Sequence, residues 1–279
     1  MKTLKQFEGW GIMYNTYTIG ELAKILGITA ETIRYYERKE IIAPIHDQES
    51  GYRYYTTWDL HMLIRARCYL GFGLSIEETA GILQSKSLEE IDELLEKQEQ
   101  IIEKNIIYQM NLLKRLRTNR KLISRSESLN FTLQKRPGIY RIDTQKCYTI
   151  DLNKDEREEL KDFCQKIPFV FSTALFPQEH IEKGNKEFYY GIGVEEEFAG
   201  VIDIKESEYV HYYPEHLCLY MSISSRSSQI LTYEVLKPAF DYMEKNNLQL
   251  AGDVISQVVS MWKPKEEYFN YHNIWIPIK

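Results

Sequence analysis

TIGELAKILGITAETIRYYERKEIIAPIHDQESGYRYY, residues Thr18 to Tyr55, decides the fold of the first part of the chain. Thr18 followed three residues later by Glu21 is a capping box, and Leu22, Ala23 and Leu26 then share one helical face before Gly27 ends the helix. A short turn leads to Thr29, which caps a second helix. In it Ile33 faces inward while Thr32, Arg34 and Tyr35 point out, as a recognition helix in a major groove requires. Tyr36, beside Ile33, fits the core equally well. Past Pro44 the segment IHDQESGYRYY predicts a hairpin, with Ser50-Gly51 at the turn and Tyr52, Arg53, Tyr54 and Tyr55 on the returning strand. Arginine offers a planar fork to phosphate oxygens and tyrosine a hydroxyl on a stiff ring, so this strand suits a wing against a sugar-phosphate backbone.

Downstream, Trp58 to Leu70 reads as a helix with Leu60, Leu63, Ile64 and Leu70 apolar, closed by Gly71. Ser75 and Glu78 form another capping box for a short helix through Leu83. The unit is helix, turn, helix, wing, helix, helix. With TIGELAKILGITAETIRYYERKEII, Pro44 and GYRYY in place, residues 16–86 resemble the DNA-binding domain of the MerR family of bacterial transcription regulators. Carried over position by position, that resemblance makes Thr18, Thr29, Thr32, Arg34, Tyr35, Tyr52, Arg53 and Tyr54 the expected contacts to double-stranded promoter DNA. Residues 14–86 hold 8 Lys+Arg against 9 Asp+Glu. Binding therefore rests on the local placement of arginines and helix N-termini rather than on a net basic footprint.

The 279 residues at net charge −6, 43% of them hydrophobic, suit two or three folded units. Cys68, Cys147, Cys164 and Cys218 stand far apart with no CxxC pair, which argues against a zinc site or a disulfide framework and fits a reducing cytoplasm. No metal or cofactor is expected. No apolar run reaches the length of a membrane span, and MKTLKQFEGWGIM lacks the apolar centre of a signal peptide. Glu8-Gly9-Trp10-Gly11 would be encoded by guanine-rich codons resembling a ribosome-binding site just ahead of Met13. Residues 1–13 are accordingly expected to be a disordered extension, with translation starting at Met13.

From Ser87 to Ser126 the sequence contains neither Pro nor Gly and predicts one long helix, a coiled-coil arm over residues 87–126. Apolar residues recur near a heptad at Ile91, Leu94 or Leu95, Ile101 or Ile102, Tyr108, Leu112, Leu116 and Leu122 or Ile123. Gln98, Asn105 and Asn119 share a seam column with Ile91 and Leu112, and such polar residues fix register. All seven acids lie between Glu89 and Glu103, while six of eight bases lie in the second half. Antiparallel copies would set acidic halves beside basic halves, so an antiparallel homodimer is predicted. The helix dipole explains part of this gradient but not the apolar seam.

Residues 127–279 contain 24 Asp+Glu against 17 Lys+Arg and 12 of the 21 tyrosines. Strand-like FTLQKRPGIYRI, helix-like DEREELKDFCQKI, and strand-like STALFP and FYYGIGVEEEF make a first round. YVHYYPEHLCLYMSI, ILTYEVLKPAFDYMEKNN, VISQVVSMW and NIWIPIK make a second. Strand, helix, strand, strand thus occurs twice, which predicts two half-sheets about a pseudo-two-fold with a groove between them. Pro214, Cys218, Tyr220 and the closing Trp275-Ile276-Pro277-Ile278 resemble the gyrase-inhibitor-like effector-binding domain. The overall expectation is a multidomain chain: an all-α winged helix-turn-helix domain (14–86), a coiled-coil dimerisation helix (87–126) and an α+β effector-binding domain (127–279).

Within the MerR family, such a last domain implies the branch that senses drugs and other lipophilic, often cationic compounds. Aromatic faces attract delocalised cations, and Tyr140, Tyr148, Tyr190, Tyr220, Trp262 and Trp275 are the aromatic candidates for a ligand groove. Strand alternation places about half of them on any one face. Where many relatives have a glutamate in the penultimate strand, this chain reads GDVISQVVSMW and offers Ser256 or Gln257, so Gln257 joins the candidates. The run Glu195-Glu196-Glu197 reads as a solvated turn or strand edge. The resemblance implies a homodimer that activates transcription by distorting an overlong promoter spacer when a small-molecule effector binds, meeting RNA polymerase only through the promoter. Two other readings remain: a ligand-independent regulator or repressor with a scaffolding last domain, and a small-molecule hydrolase. GxSxG, HExxH and a phosphate-binding glycine loop are all absent from the sequence, which speaks against catalysis.

Overall fold

Local capping chemistry sets the first helices where the sequence places them. The computed structural model describes residues 6–9, 12–47, 50–84, 87–125, 131–226, 233–264 and 266–279. Gln48 and Glu49 of the wing turn, Ser126 at the end of the arm, and residues 230–232 of the second expected effector helix lie outside the described residues. Two units divide the chain, residues 1–106 and 107–279.

The first unit runs β1 (Gln6–Gly9), β2 (Ile12–Thr18), α1 (Ile19–Leu26), α2 (Ala30–Arg38), β3 (Ile45–His46), β4 (Arg53–Thr56), α3 (Thr57–Gly71) and α4 (Ile76–Gln84) into the long helix α5 (Leu88–Arg125). Thr18 and Glu21 close the expected capping box, and Gly27 leaves α1 in the left-handed conformation at φ 65°. Thr29 caps α2 by accepting from the Thr32 amide at 3.0 Å. A further box, Thr56 with Asp59, starts α3 one residue ahead of the expected Trp58. Its other end falls at Gly71, as expected, and Gly73, with φ 96°, follows in the left-handed region. Leu22, Ile33, Tyr55 and Leu63 are fully buried at the centre, with Tyr36 beside them in the core. Each such aliphatic side chain contributes about 1.5 to 3 kcal/mol by leaving water.

Two expectations change here. The unit is not all-α: β1, β2, β4 and β3 form a four-stranded sheet in that order. Nor are residues 1–13 wholly outside the fold, because β1 pairs antiparallel with β2 in register Gln6 to Asn15. Thr16 to Thr18 of β2 pair with β4, so β2 continues upstream as an open edge that the preceding residues can join.

In the second unit one eight-stranded antiparallel sheet reads β5-β10-β12-β11-β7-β8-β6-β9. Its strands are β5 (Thr132–Arg136), β6 (Ile139–Lys146), β7 (Phe171–Phe176), β8 (Tyr189–Glu195), β9 (Val210–Tyr213), β10 (His216–Arg226), β11 (Val254–Trp262) and β12 (Phe269–Pro277). Pro137 and Pro214 break the two longest expected strands into pairs, since proline lacks the donor a ladder needs. Helices α6 (Lys154–Gln165), α7 (Gln178–Glu182), α8 (Glu196–Ala199) and α9 (Lys237–Lys245) complete the unit. The order is palindromic: β6-β8-β7 meets β11-β12-β10 at the β7–β11 pair. The leading strands are exchanged, β5 pairing with β10 and β9 with β6.

Alternation gives the sheet two unlike faces. Ile142, Ala174, Val194, Leu219, Met221, Val254, Ile274 and Ile276 bury one face in two apolar clusters that include Phe163 of α6 and Met243 of α9. The other carries Ile139, Phe171, Leu175 and Ile255, then Cys218, Tyr220 and Trp275, with the buried polar side chains of Arg141, Thr173, Gln257 and Asn273 among them. The arm is therefore not a unit by itself. Tyr108 of α5 meets Phe169 edge-on at 5.5 Å, and Leu112 packs on the cluster containing Phe169 and Phe198. Tyr108 and Leu112, expected in a dimer seam, thus contact their own chain, Tyr108 with part of its ring still exposed, while Ile102, Ile106, Leu113, Leu116 and Ile123 are exposed.

Candidate nucleic-acid interface and effector cavity

The first unit presents a recognition helix and a wing. On α2, Arg34 and Arg38 both reach Glu31, at 3.3 and 3.1 Å. Their hydrogen bonds, that of Arg38 foremost, hold the Glu31 carboxyl below its ordinary value. Tyr35 is exposed, with the Arg38 guanidinium and the Lys39 ammonium each 5.8 Å from its ring centre. Gly51, at φ 70°, makes the wing turn, where the Asp47 amide donates to the Tyr52 carbonyl at 2.9 Å. On β4, Arg53 donates to Glu37 at 3.1 Å while the Tyr55 hydroxyl donates to the other oxygen of the same carboxylate. Burial, and then Glu37, push the Tyr55 phenol up. Glu37 thus ties the wing to the recognition helix and holds Arg53 at the surface.

Of the eight expected contact residues, Arg34, Tyr35, Tyr52 and Arg53 are exposed side chains on α2 and the wing. Thr18 and Thr29 use their hydroxyls to cap helices, and Thr32 shares a hydrogen bond with Thr29 at 2.8 Å. Tyr54 is half-buried, in register with Ile45 and Thr18. Arg34, Arg38 and Arg53 each reach a neighbouring acid, so turning their guanidinium groups fully to phosphates means exchanging them from Glu31 and Glu37. Sequence reading missed both acids as partners, although Glu31 is three residues before Arg34 and seven before Arg38 on one helix.

In the second unit a cavity of about 160 Å³ opens on the polar face of the sheet. Thr118 and Leu122 of α5 form one wall, Gln134, Lys135 and Pro137 the corner between β5 and β6, and Glu195, Tyr220, Gln257 and Trp275 the sheet side. Tyr220 and Trp275 are cross-strand partners with ring centres 5.9 Å apart, and the Tyr220 hydroxyl donates to Asn273 Oδ1 at 2.6 Å. Glu195 is buried and meets Arg115 of α5 at 3.3 Å. Burial raises the Glu195 carboxyl, opposed by the Arg115 charge and by a hydrogen bond from Gln257. Burial also acts against the Arg115 charge, so each ion depends on the other. The Phe171 ring lies 5.4 Å from the Arg115 guanidinium.

Three of the seven expected ligand residues, Tyr220, Gln257 and Trp275, line this cavity. Tyr140 points to the helix-covered face and packs on Tyr212 at 4.7 Å, and Tyr190 does the same beside Phe188 at 5.1 Å. Tyr148 follows β6 in a turn, exposed against Phe188. Trp262, at the far end of β11, stacks on Phe269 and Tyr271 at 5.4 and 5.1 Å. One-residue parity along the strands separates Tyr140 and Tyr190 from the lining residues, whereas Tyr148 and Trp262 lie beyond the cavity along the chain. Ser256 faces away from the cavity and accepts from the Ala174 amide at 3.1 Å. Glu195 is a correction: it is buried rather than solvated, because counting by twos from Tyr189 through Gly191 and Gly193 puts it on the polar face. Arg115 and Lys114, expected to meet a partner's acids, pair with Glu195 and Glu197 of their own chain. Among the described residues no cluster of possible metal ligands occurs and no helix is long and apolar enough to cross a membrane.

Residues 17–86 match the family model described as MerR HTH family regulatory protein. An uncharacterized HTH-type transcriptional regulator of Pseudomonas aeruginosa is 43% identical over 65 residues, 23% of this chain and 49% of that protein. The HTH-type transcriptional regulator ZntR of Escherichia coli K12 is 46% identical over 69 residues, 24% and 49% of the respective chains. A cryo-EM structure of an EcmrR–DNA complex is 16% identical with a TM-score of 0.38, covering 94% of this chain and 99% of that one. The chain spans about half the length of the curated relatives it matches. The residues matched by that model, 17–86, are those that form the capped helix pair and the Gly51 wing, a MerR-type helix-turn-helix region.

Proposed function

We propose that the chain is a ligand-responsive transcription regulator that binds promoter DNA as a homodimer and activates transcription when a small lipophilic compound occupies the cavity of the second unit. The observation that carries this reading is that Thr118 and Leu122 of α5 form part of the cavity wall. A compound seated there touches the same helix whose exposed Ile102, Ile106, Leu113 and Leu116 offer an apolar surface to a second copy. Only a compound that binds the DNA-distorting state better than the resting state shifts the equilibrium, and contacts to the arm are a way to distinguish the two. The palindromic strand order supports a duplicated, gyrase-inhibitor-like effector domain. A cytoplasmic protein that meets RNA polymerase through distorted promoter DNA follows from the same reading.

Binding-site selection from random duplexes, followed by transcription from a promoter carrying the selected site, tests the proposal. A two-fold symmetric site and transcription that rises with a cavity-binding compound are the expected results. An asymmetric site bound by one copy would end the dimer reading. Transcription indifferent to every compound that binds the cavity would end the ligand-responsive one.

A further inference from the structure

The cavity holds one buried carboxylate, and the chain has already supplied its counter-ion. Arg115 is 4% exposed, reaches Glu195 at 3.3 Å and is backed by the Phe171 ring. Lys135, the other cation at the rim, is engaged by Glu215 at 2.7 Å. Glu195 lines the cavity while Arg115, which does not, holds one of its oxygens from behind, so the carboxylate a cationic guest would meet already has its charge compensated by a guanidinium that burial prevents from leaving as a free ion.

The unsatisfied hydrogen-bonding groups around the site point the same way. Arg115 Nε and Asn273 Nδ2 are buried donors without a hydrogen-bond partner. Asn273 lies in register with Gln257 and accepts from Tyr220, two residues that line the cavity. Buried donors of this kind are normally satisfied; neither side chain lines the cavity itself, but each touches a residue that does, Glu195 or Tyr220, and an acceptor oxygen is the partner that could satisfy them where a cation could not. Tyr220 and Trp275 supply flat apolar surface for a ring system.

Resting on the reading that this cavity is a ligand site, we propose that it takes an uncharged planar aromatic compound bearing an acceptor oxygen, and that Arg115 sets this choice by compensating, from behind the wall, the one carboxylate charge that would favour a cationic guest. The selectivity is thus a property of the arm helix rather than of the sheet.

Equilibrium dialysis of the full chain at pH 8 with N-methyl-2-quinolone and N-methylquinolinium tests this, because the two probes share ring and methyl group and differ in the carbonyl and the charge. The wild-type chain should bind the quinolone at least about tenfold more tightly than the quinolinium. In Arg115→Met, checked for folding by circular dichroism, quinolinium affinity should rise at least about tenfold, and Arg115→Met combined with Glu195→Gln should abolish that gain. A wild-type chain that binds quinolinium as tightly as the quinolone overturns the proposal whether or not the variants fold, and leaves the ligand-responsive reading standing. A folded Arg115→Met with no gain for quinolinium overturns the role given to Arg115. Binding of neither probe by wild type or variants removes the ligand-site reading itself.

Discussion

Two adjacent residues of α5 make ion pairs with two glutamates at the junction of β8 and α8, and they should differ sharply in what they contribute to stability. Lys114 and Glu197 are 2.6 Å apart with side chains 55% and 37% exposed. Arg115 and Glu195 are 3.3 Å apart but only 4% and 10% exposed. Distance alone would rank Lys114 first. Burial reverses the order: removing one partner of a buried pair leaves an uncompensated charge and costs about 3 to 5 kcal/mol, whereas an exposed pair is worth about 0 to 1 kcal/mol. Arg115→Met should therefore lower the urea midpoint of the second unit markedly, and Lys114→Met should leave it almost unchanged. Replacing both buried partners by apolar residues, Arg115→Met with Glu195→Leu, should recover most of the loss. Unfolding is followed by the fluorescence of Trp262 and Trp275 in a chain carrying Trp10→Phe and Trp58→Phe, with m compared between variants to confirm that the same surface is exposed. Equal losses for Lys114→Met and Arg115→Met would refute the claim that burial rather than contact distance decides.

Burial pushes the His272 imidazole down to about 4. The unfolded chain takes up that proton from pH 6.5 downward and the folded chain does not, so this stability is complete above pH 6.5. It falls by about 2 kcal/mol between pH 7 and 5. His272→Gln should flatten urea stability across that interval, and an unchanged slope would contradict the burial assignment. Arg53→Ala should weaken binding to all duplex sequences alike and reduce the magnitude of the salt slope by about 0.9, read by fluorescence anisotropy from low to moderate salt. Leaving both unchanged would remove Arg53 from the interface. In an antiparallel arm, a chain with Leu94→Cys should crosslink to one with Leu116→Cys, and efficient crosslinking of Leu94→Cys to its own copy would exclude that arrangement.

Residues 18–84 were legible because their signals are local. Capping boxes span three residues, Gly27 and Gly51 mark left-handed positions, and the burial of Tyr36 follows from its helical face with Ile33. Strand β2 was missed because its partner β4 lies about forty residues away and its own sequence, IMYNTYT, alternates without a decisive pattern. In the second unit the element order was readable, whereas the β7–β11 junction and the exchange of β5 and β9 depend on pairings made far along the chain. For the cavity, Tyr220, Gln257 and Trp275 stood out by residue type. Glu195 did not, because an acidic run reads as solvated unless the parity of its strand is counted. Arg115 was assigned to a partner chain because a charge gradient along a helix cannot say whose acids it meets.

The exchange of leading strands makes the two halves of the second unit mutually incomplete. Residues 209–279 alone would present β10 with its outer edge bare, since β5 arrives from the other half, and residues 131–208 would leave β6 bare in the same way. Each fragment is a template that only the other fills, so a chain cut between β8 and β9 should reconstitute from its pieces while either piece alone aggregates through its exposed edge. The closure that joins Lys135 to Glu215 spans 80 residues. During synthesis β5 emerges early and must wait for the strand that holds it, which makes its docking a late event in folding and ties the order of the whole sheet to the completion of its last third.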